Sequence, residues 1–110
     1  MADTIIPKIL GQEAPTTAAG ATLYTVPDMI RAQVQSLYVC NRDAAADFSI
    51  SVTPKNEVTA PKHYIFYNQP IAKNVTYSTK HMIFLNEGDV VAVISTSPFK
   101  ISFTIFGQET

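Results

Sequence analysis

Charged residues are scarce in this sequence of 110 residues, at 15% compared with about one quarter in a typical soluble domain. The eight basic and nine acidic residues nearly cancel, which leaves a formal net charge of −1. This balance gives no electrostatic support for nucleic acid or a membrane surface as a partner. Apolar residues make up 46%, so we expect a large neutral surface, which often contacts other protein.

Reactive and metal-binding side chains are also few. Cys40 is the only cysteine, so no internal disulfide can form, and no neighbouring cation is present to activate its thiol. His63 and His81 have no partner at metal-ligand spacing. The sequence therefore predicts no catalytic residue, no metal site and no cofactor, and we expect a protein that is not an enzyme.

Targeting signals are missing as well. The amino terminus has no basic region followed by an apolar one, as a signal peptide would. No apolar run approaches the ~20 residues that a membrane helix needs. We therefore expect neither secretion nor membrane insertion.

Short runs with the two-residue period of a strand recur along the chain, whereas no stretch has a helical period. Eight strands are predicted, at residues 22–26, 31–41, 48–52, 63–67, 75–78, 82–85, 90–96 and 100–106. The last two runs predict a central hairpin, in which the first strand is covered on both faces. This spacing predicts an all-β fold, a single antiparallel β-sandwich of jelly-roll type over residues 21–110.

Residues 1–20 are predicted to form an extended N-terminal arm. Pro7 interrupts any helix or central strand, and residues 11–20 have the composition of a linker. One interpretation is a frayed terminus. The other is an arm that docks on a neighbouring subunit through its apolar cluster, formed by Ile5, Ile6, Ile9 and Leu10.

The two ends of the chain resemble each other. Residues 9–13 read ILGQE and residues 105–109 read IFGQE. The similarity is either due to chance or indicates that the arm of one subunit occupies the same kind of groove as the tail of another. An exposed sheet edge would accept such a segment by strand addition.

Aromatic residues lie on both predicted faces of the strand at residues 63–67. Tyr64 and Tyr67 are the candidates for stacking against a glycan. The alternative is that both are ordinary strand residues with a surface hydroxyl.

Six segments in this order resemble small virion structural proteins of tailed bacteriophages. They are residues 23–27 (LYTVP), 36–42 (SLYVCNR), 48–52 (FSISV), 62–67 (KHYIFY), 85–91 (LNEGDVV) and 102–107 (SFTIFG). The resemblance extends over nearly the whole chain, from Leu10 to Glu109. It implies a compact β-sandwich located in the virion after assembly in the host cytoplasm, and it supplies no catalytic residue.

The first hypothesis for function is a capsid decoration, or cement, protein. It would bind the major capsid protein or other virion proteins through its arm and a neutral sheet face. The alternatives are a structural module of the tail, neck, baseplate or fibre, and a carbohydrate-binding module for host-surface attachment. We also expect a homo-oligomer, because closed symmetry prevents open-ended polymerisation, and a trimer would satisfy that condition.

Overall fold

Two antiparallel β-sheets packed face to face make up the fold. The computed structural model describes residues 5–16, 20–43, 45–80, 82–96 and 100–110. Within these ranges a short 3-10 helix, Pro61–His63, is present, and no helix is long and apolar enough to span a membrane. The strands are β1 (Ile6–Glu13), β2 (Ala21–Thr25), β3 (Ala32–Asn41), β4 (Ala46–Thr53), β5 (Tyr64–Ile71), β6 (Thr76–Thr79), β7 (Ile83–Leu85), β8 (Val90–Ser95) and β9 (Ile101–Glu109).

The strand order follows from folding the chain as one long hairpin. Strands of the first half pair with strands of the second half, as β1–β9, β2–β8, β3–β6 and β4–β5. Additional pairing of β3 with β9 and of β4 with β8 rolls this hairpin into two sheets. The five-stranded sheet has the order β1-β9-β3-β6, with β7 also on β3, and the four-stranded sheet has the order β2-β8-β4-β5. These are the orders of a jelly roll, so the predicted β-sandwich is confirmed.

The core lies between the two sheets. Ile101, Phe103 and Ile105 of β9 are fully buried and alternate with half-buried polar residues, as their two-residue period predicts. Phe48 of β4 meets Phe103 across the sheets, with ring centroids 6.0 Å apart. The same strand period therefore fixes which face of β9 stabilises the sandwich.

The predicted hairpin of residues 90–96 and 100–106 is wrong. β8 belongs to the four-stranded sheet and β9 to the five-stranded sheet, so the chain crosses between sheets at this point. The physical reason is that both strands have an apolar face, and placing them in opposite sheets buries Val93 and Phe103 in one core. Nor is β8 fully covered on both faces, because Ala92 and Ile94 on its outer side are half-buried.

The segment predicted as an arm contributes a strand to the sandwich. Residues Ile6–Glu13 form β1, which lies at the edge of the five-stranded sheet and pairs with β9 of the same chain. An edge position tolerates Pro7, whose missing N–H would break the pairing of a central strand. Leu10 is buried in the core, so part of the arm is held by its own domain.

The two similar end segments lie on neighbouring strands, β1 and β9, of the same chain. Gly11 follows a register shift in β1, and a Cβ there would lie 2.2 Å from the carbonyl oxygen of Leu23. Gly107 lies beside the register shift in β3, and its Cβ would lie 2.0 Å from the carbonyl oxygen of Gln33. Each glycine thus permits a close backbone approach beside a bulge. This shared requirement is a structural reason for the glycine that the two segments have in common.

Candidate functional site

The outer face of the five-stranded sheet carries no charged side chain within the strands that the structure describes. Alternation along β1, β3, β6, β7 and β9, together with their register, identifies its members. We call this surface the neutral face; it consists of Pro7, Ile9, Gln12, Gln33, Gln35, Ser36, Tyr38, Cys40, Thr76, Ser78, Phe84, Ser102, Thr104, Phe106 and Gln108.

Large apolar groups occupy the middle and one end of the neutral face. Phe106 and Tyr38 pack edge to face with ring centroids 5.7 Å apart, and Ile9 is paired with Phe106 in the register. Phe84 on β7 is 75% exposed. Removing water from a surface that exposes aromatic rings and methyl groups but no charge costs little free energy. Such a surface is therefore suited to contact another protein.

Glutamine side chains join the strands across the neutral face. Gln108 Nε2 donates to Gln33 Oε1 at 3.2 Å, and Gln35 Nε2 donates to Gln108 Oε1 at 3.3 Å. Gln33 Nε2 in turn contacts Met82 Sδ at 3.0 Å. These contacts satisfy polar atoms within the sheet and keep the face neutral.

The arm residues predicted as an interface separate into two groups. Ile9 lies on the neutral face and is about half exposed, while Ile5 and Ile6 are exposed at the start of the edge strand. Leu10 points into the core, and it therefore serves the fold. Of the four predicted interface residues, Ile5, Ile6 and Ile9 therefore remain accessible to a partner.

A buried carboxylate holds the arm strand to both sheets. Glu109 on β9 accepts a hydrogen bond from the Tyr24 hydroxyl of β2 and another, at 3.2 Å, from Lys8 Nζ of β1. The Tyr24 hydrogen bond is the main reason that the pKa of Glu109 is lowered; burial opposes this shift, and Lys8 adds to it. Burial, reinforced by the Glu109 carboxylate, raises the pKa of the Tyr24 phenol. The cluster is thus most stable with Glu109 ionised.

Acidification should therefore weaken the fold through Glu109. Its pKa in the folded state lies below the free value of 4.5, so its stabilising effect is complete above that value and is lost as pH falls through the folded pKa. We expect the Glu109→Gln variant to lose less stability than the parent between about pH 7 and about pH 3, measured by urea denaturation. Glu13→Gln, the same substitution at an exposed position on the neighbouring strand β1, is the control. Equal acid sensitivity of the parent and Glu109→Gln would contradict this role.

A second candidate site lies on the outer face of the four-stranded sheet. Tyr64 and Tyr67 of β5 pack edge to face with ring centroids 5.0 Å apart, and Tyr67 is 68% exposed. A cavity of about 540 Å³ lies against both rings and the turn at Thr59, and a second of about 420 Å³ continues from Tyr64 across the sheet. We call this surface the tyrosine groove; it is lined by Thr22, Ser51, Thr59, Tyr64, Tyr67 and Ala92.

Bulges in β5 bring the two tyrosines to one face. With regular alternation, residues three apart point to opposite faces. The register shifts twice, however: Phe66 pairs with Ile50, Tyr64 pairs with Ser51, and Gln69 pairs with Phe48. β5 continues to Ile71, beyond the predicted end of this strand at residue 67, and Asn68 absorbs the irregularity at φ 48°.

The loop beside the tyrosine groove is fixed by its own hydrogen bonds. The hydroxyls of Thr53 and Thr59 are 2.8 Å apart. The Ala60 N–H donates to His63 Nδ1 at 2.9 Å, and His63 Nε2 lies 3.2 Å from Glu57 Oε1. His63 is therefore a structural residue of this loop, while His81 lies outside the described residues.

The described residues contain no group of three or more histidine, cysteine, aspartate or glutamate side chains that could hold a metal ion. Cys40 is half-buried on the neutral face.

No protein-family model, curated protein or solved structure matches this chain. The two surfaces described above are consequently the basis for inferring function.

Proposed function

We propose that this chain is a non-enzymatic structural protein of a tailed-bacteriophage particle, specifically a capsid decoration protein. It binds the outer surface of the assembled shell through the neutral face and the adjoining residues Ile5 and Ile6. The observation that carries the proposal is the absence of charge from the outer side of the five described strands in this sheet. The resemblance of the sequence to small virion proteins supplies the class of partner.

The neutral face supports a role in attachment because of its composition. Phe106, Tyr38, Ile9 and Phe84 offer apolar contact area. Three of the glutamine side chains, those of Gln33, Gln35 and Gln108, are hydrogen-bonded to one another across the face. Rigid strands hold these groups, so few side chains need to be ordered when a partner binds. Such a surface adds contact area between shell subunits without introducing new chemistry.

The edge strand β1 extends this surface toward a neighbour. Its outer backbone edge has no pairing strand among the described residues, and Ile5 and Ile6 lie at its start. A shell subunit could continue the sheet there by strand addition. Removal of residues 1–11 is a poor test, because it would also remove Leu10 from the core.

Binding of the purified chain to empty shells of the particle tests the proposal. We expect the chain to co-sediment with empty shells, and we expect binding to change little between low and high salt because the face is uncharged. Isolated tails from the same particle serve as the comparison. Binding to tails alone would favour the tail or fibre alternative, and binding to neither would overturn the proposal.

A further inference from the structure

We propose that the tyrosine groove binds a neutral carbohydrate chain. This site is separate from the neutral face, since it lies on the outer side of the opposite sheet. Attachment to a shell would therefore leave the tyrosine groove open to solvent. The inference goes beyond the proposed function, and either can fail without the other.

The shape of the tyrosine groove suits an extended ligand. Its two cavities, of about 420 and 540 Å³, share Thr59 and Tyr64 and therefore adjoin each other. Each volume lies within the range of roughly 300–1,000 Å³ that is common for small-molecule sites. The register places Thr22 opposite Ala92, Ala92 opposite Ser51, and Ser51 opposite Tyr64. Small side chains therefore form the floor, and the tyrosine rings form the wall at one end.

The chemistry of the lining matches a sugar. A pyranose ring has a C–H face, which packs on an aromatic ring, and a rim of hydroxyl groups, which need polar partners. Tyr67 offers an exposed ring, Tyr64 and Thr59 add hydroxyl groups in the same cavity, and Thr22 adds one in the adjoining cavity. No charged residue lines either cavity among the described residues, so an anionic ligand such as a phosphate or a uronate would lack a counter-charge.

The tyrosine groove is also preorganised for binding. The bulges of β5 fix both rings on one face, and the hydrogen bonds of Thr59 and His63 hold the loop that lines the same cavity. Preorganisation of this kind lowers the entropy lost on binding. Aromatic grooves also bind proline-rich peptides, but the hydroxyl-bearing floor favours a ligand that itself carries hydroxyl groups.

Calorimetric titration of the full chain with cellotetraose, maltotetraose, mannotetraose and chitotetraose tests the proposal, with tetragalacturonate as a charged comparator. We expect at least one neutral oligosaccharide to bind, with affinity reduced roughly tenfold or more by Tyr67→Ala. Tyr67→Phe keeps the ring and should bind within about threefold of the parent. Because Tyr67 is mostly exposed, both variants should fold.

Tyr38→Ala provides the matched control, since Tyr38 is a surface tyrosine on the opposite sheet. It should leave sugar binding unchanged. The proposal is overturned if no neutral oligosaccharide binds at millimolar concentration, if tetragalacturonate binds more tightly, or if Tyr67→Ala binds as the parent does. It is also overturned if shell binding requires Tyr67, since the groove would then be part of the protein interface.

Discussion

Replacement of Phe48 by alanine should reduce the free energy of unfolding by about 3–5 kcal/mol. Phe48 is only 1% exposed and its ring contacts Phe66, Tyr77 and Phe103, which belong to three different strands. The alanine variant loses these contacts and leaves a cavity where the two sheets meet. Since a small domain has a total stability of about 5–15 kcal/mol, this single change could remove a large part of it.

Urea denaturation of Phe48→Ala and of Phe84→Ala measures this effect. Phe84 is the matched control, because it is the same residue type at a position 75% exposed on the short strand β7. We expect its replacement to change stability by no more than about 0.5 kcal/mol. Similar losses in the two variants would show that the ring cluster around Phe48 is not the centre of the core.

Replacement of Tyr38 by lysine should weaken binding to empty shells by about a hundredfold or more. Tyr38 lies near the middle of the neutral face beside Phe106, so the variant would place a charge in the interface without an opposite charge to pair with it. The fold should survive, because Tyr38 is partly exposed and loses mainly one edge-to-face ring contact of about 0.5–1.5 kcal/mol.

Tyr67→Lys is the control for this experiment. It makes the same substitution at an exposed tyrosine on the opposite sheet, so shell binding should equal that of the parent. Circular dichroism and the urea midpoint establish that both variants are folded. If Tyr38→Lys binds shells as tightly as the parent, the neutral face is not the attachment surface.

The two-residue alternation of apolar and polar side chains accounts for the part of the fold that could be predicted from the sequence. The alternation of Ile101, Phe103 and Ile105 with Ser102 and Thr104 correctly gave the buried face of β9. Continuing the same period places Phe106 on the outer side with Ser102 and Thr104, so the part of the neutral face on β9 could have been read from the sequence. The remaining part of the neutral face lies on four further strands, and its position beside β9 depends on strand order, which local periodicity does not contain.

Other features arise from tertiary contacts and were not predictable in this way. Pro7 and the linker-like composition of residues 11–20 argue against a strand and so predict an arm, although the edge strand β1 accommodates Pro7. The pairing of Tyr64 with Tyr67 depends on two bulges in β5 that no turn signal marks. The tyrosines were identified as candidates, but the groove beside them is formed by residues from β2, β4 and β8.

The orientation of the chain on the particle tests the central claim most directly. A reconstruction of the particle at side-chain resolution should show Tyr38, Ile9 and Phe106 packed against shell subunits, with Tyr67 facing solvent. Finding the five-stranded sheet turned to solvent, or the chain absent from the shell, would contradict the proposed function.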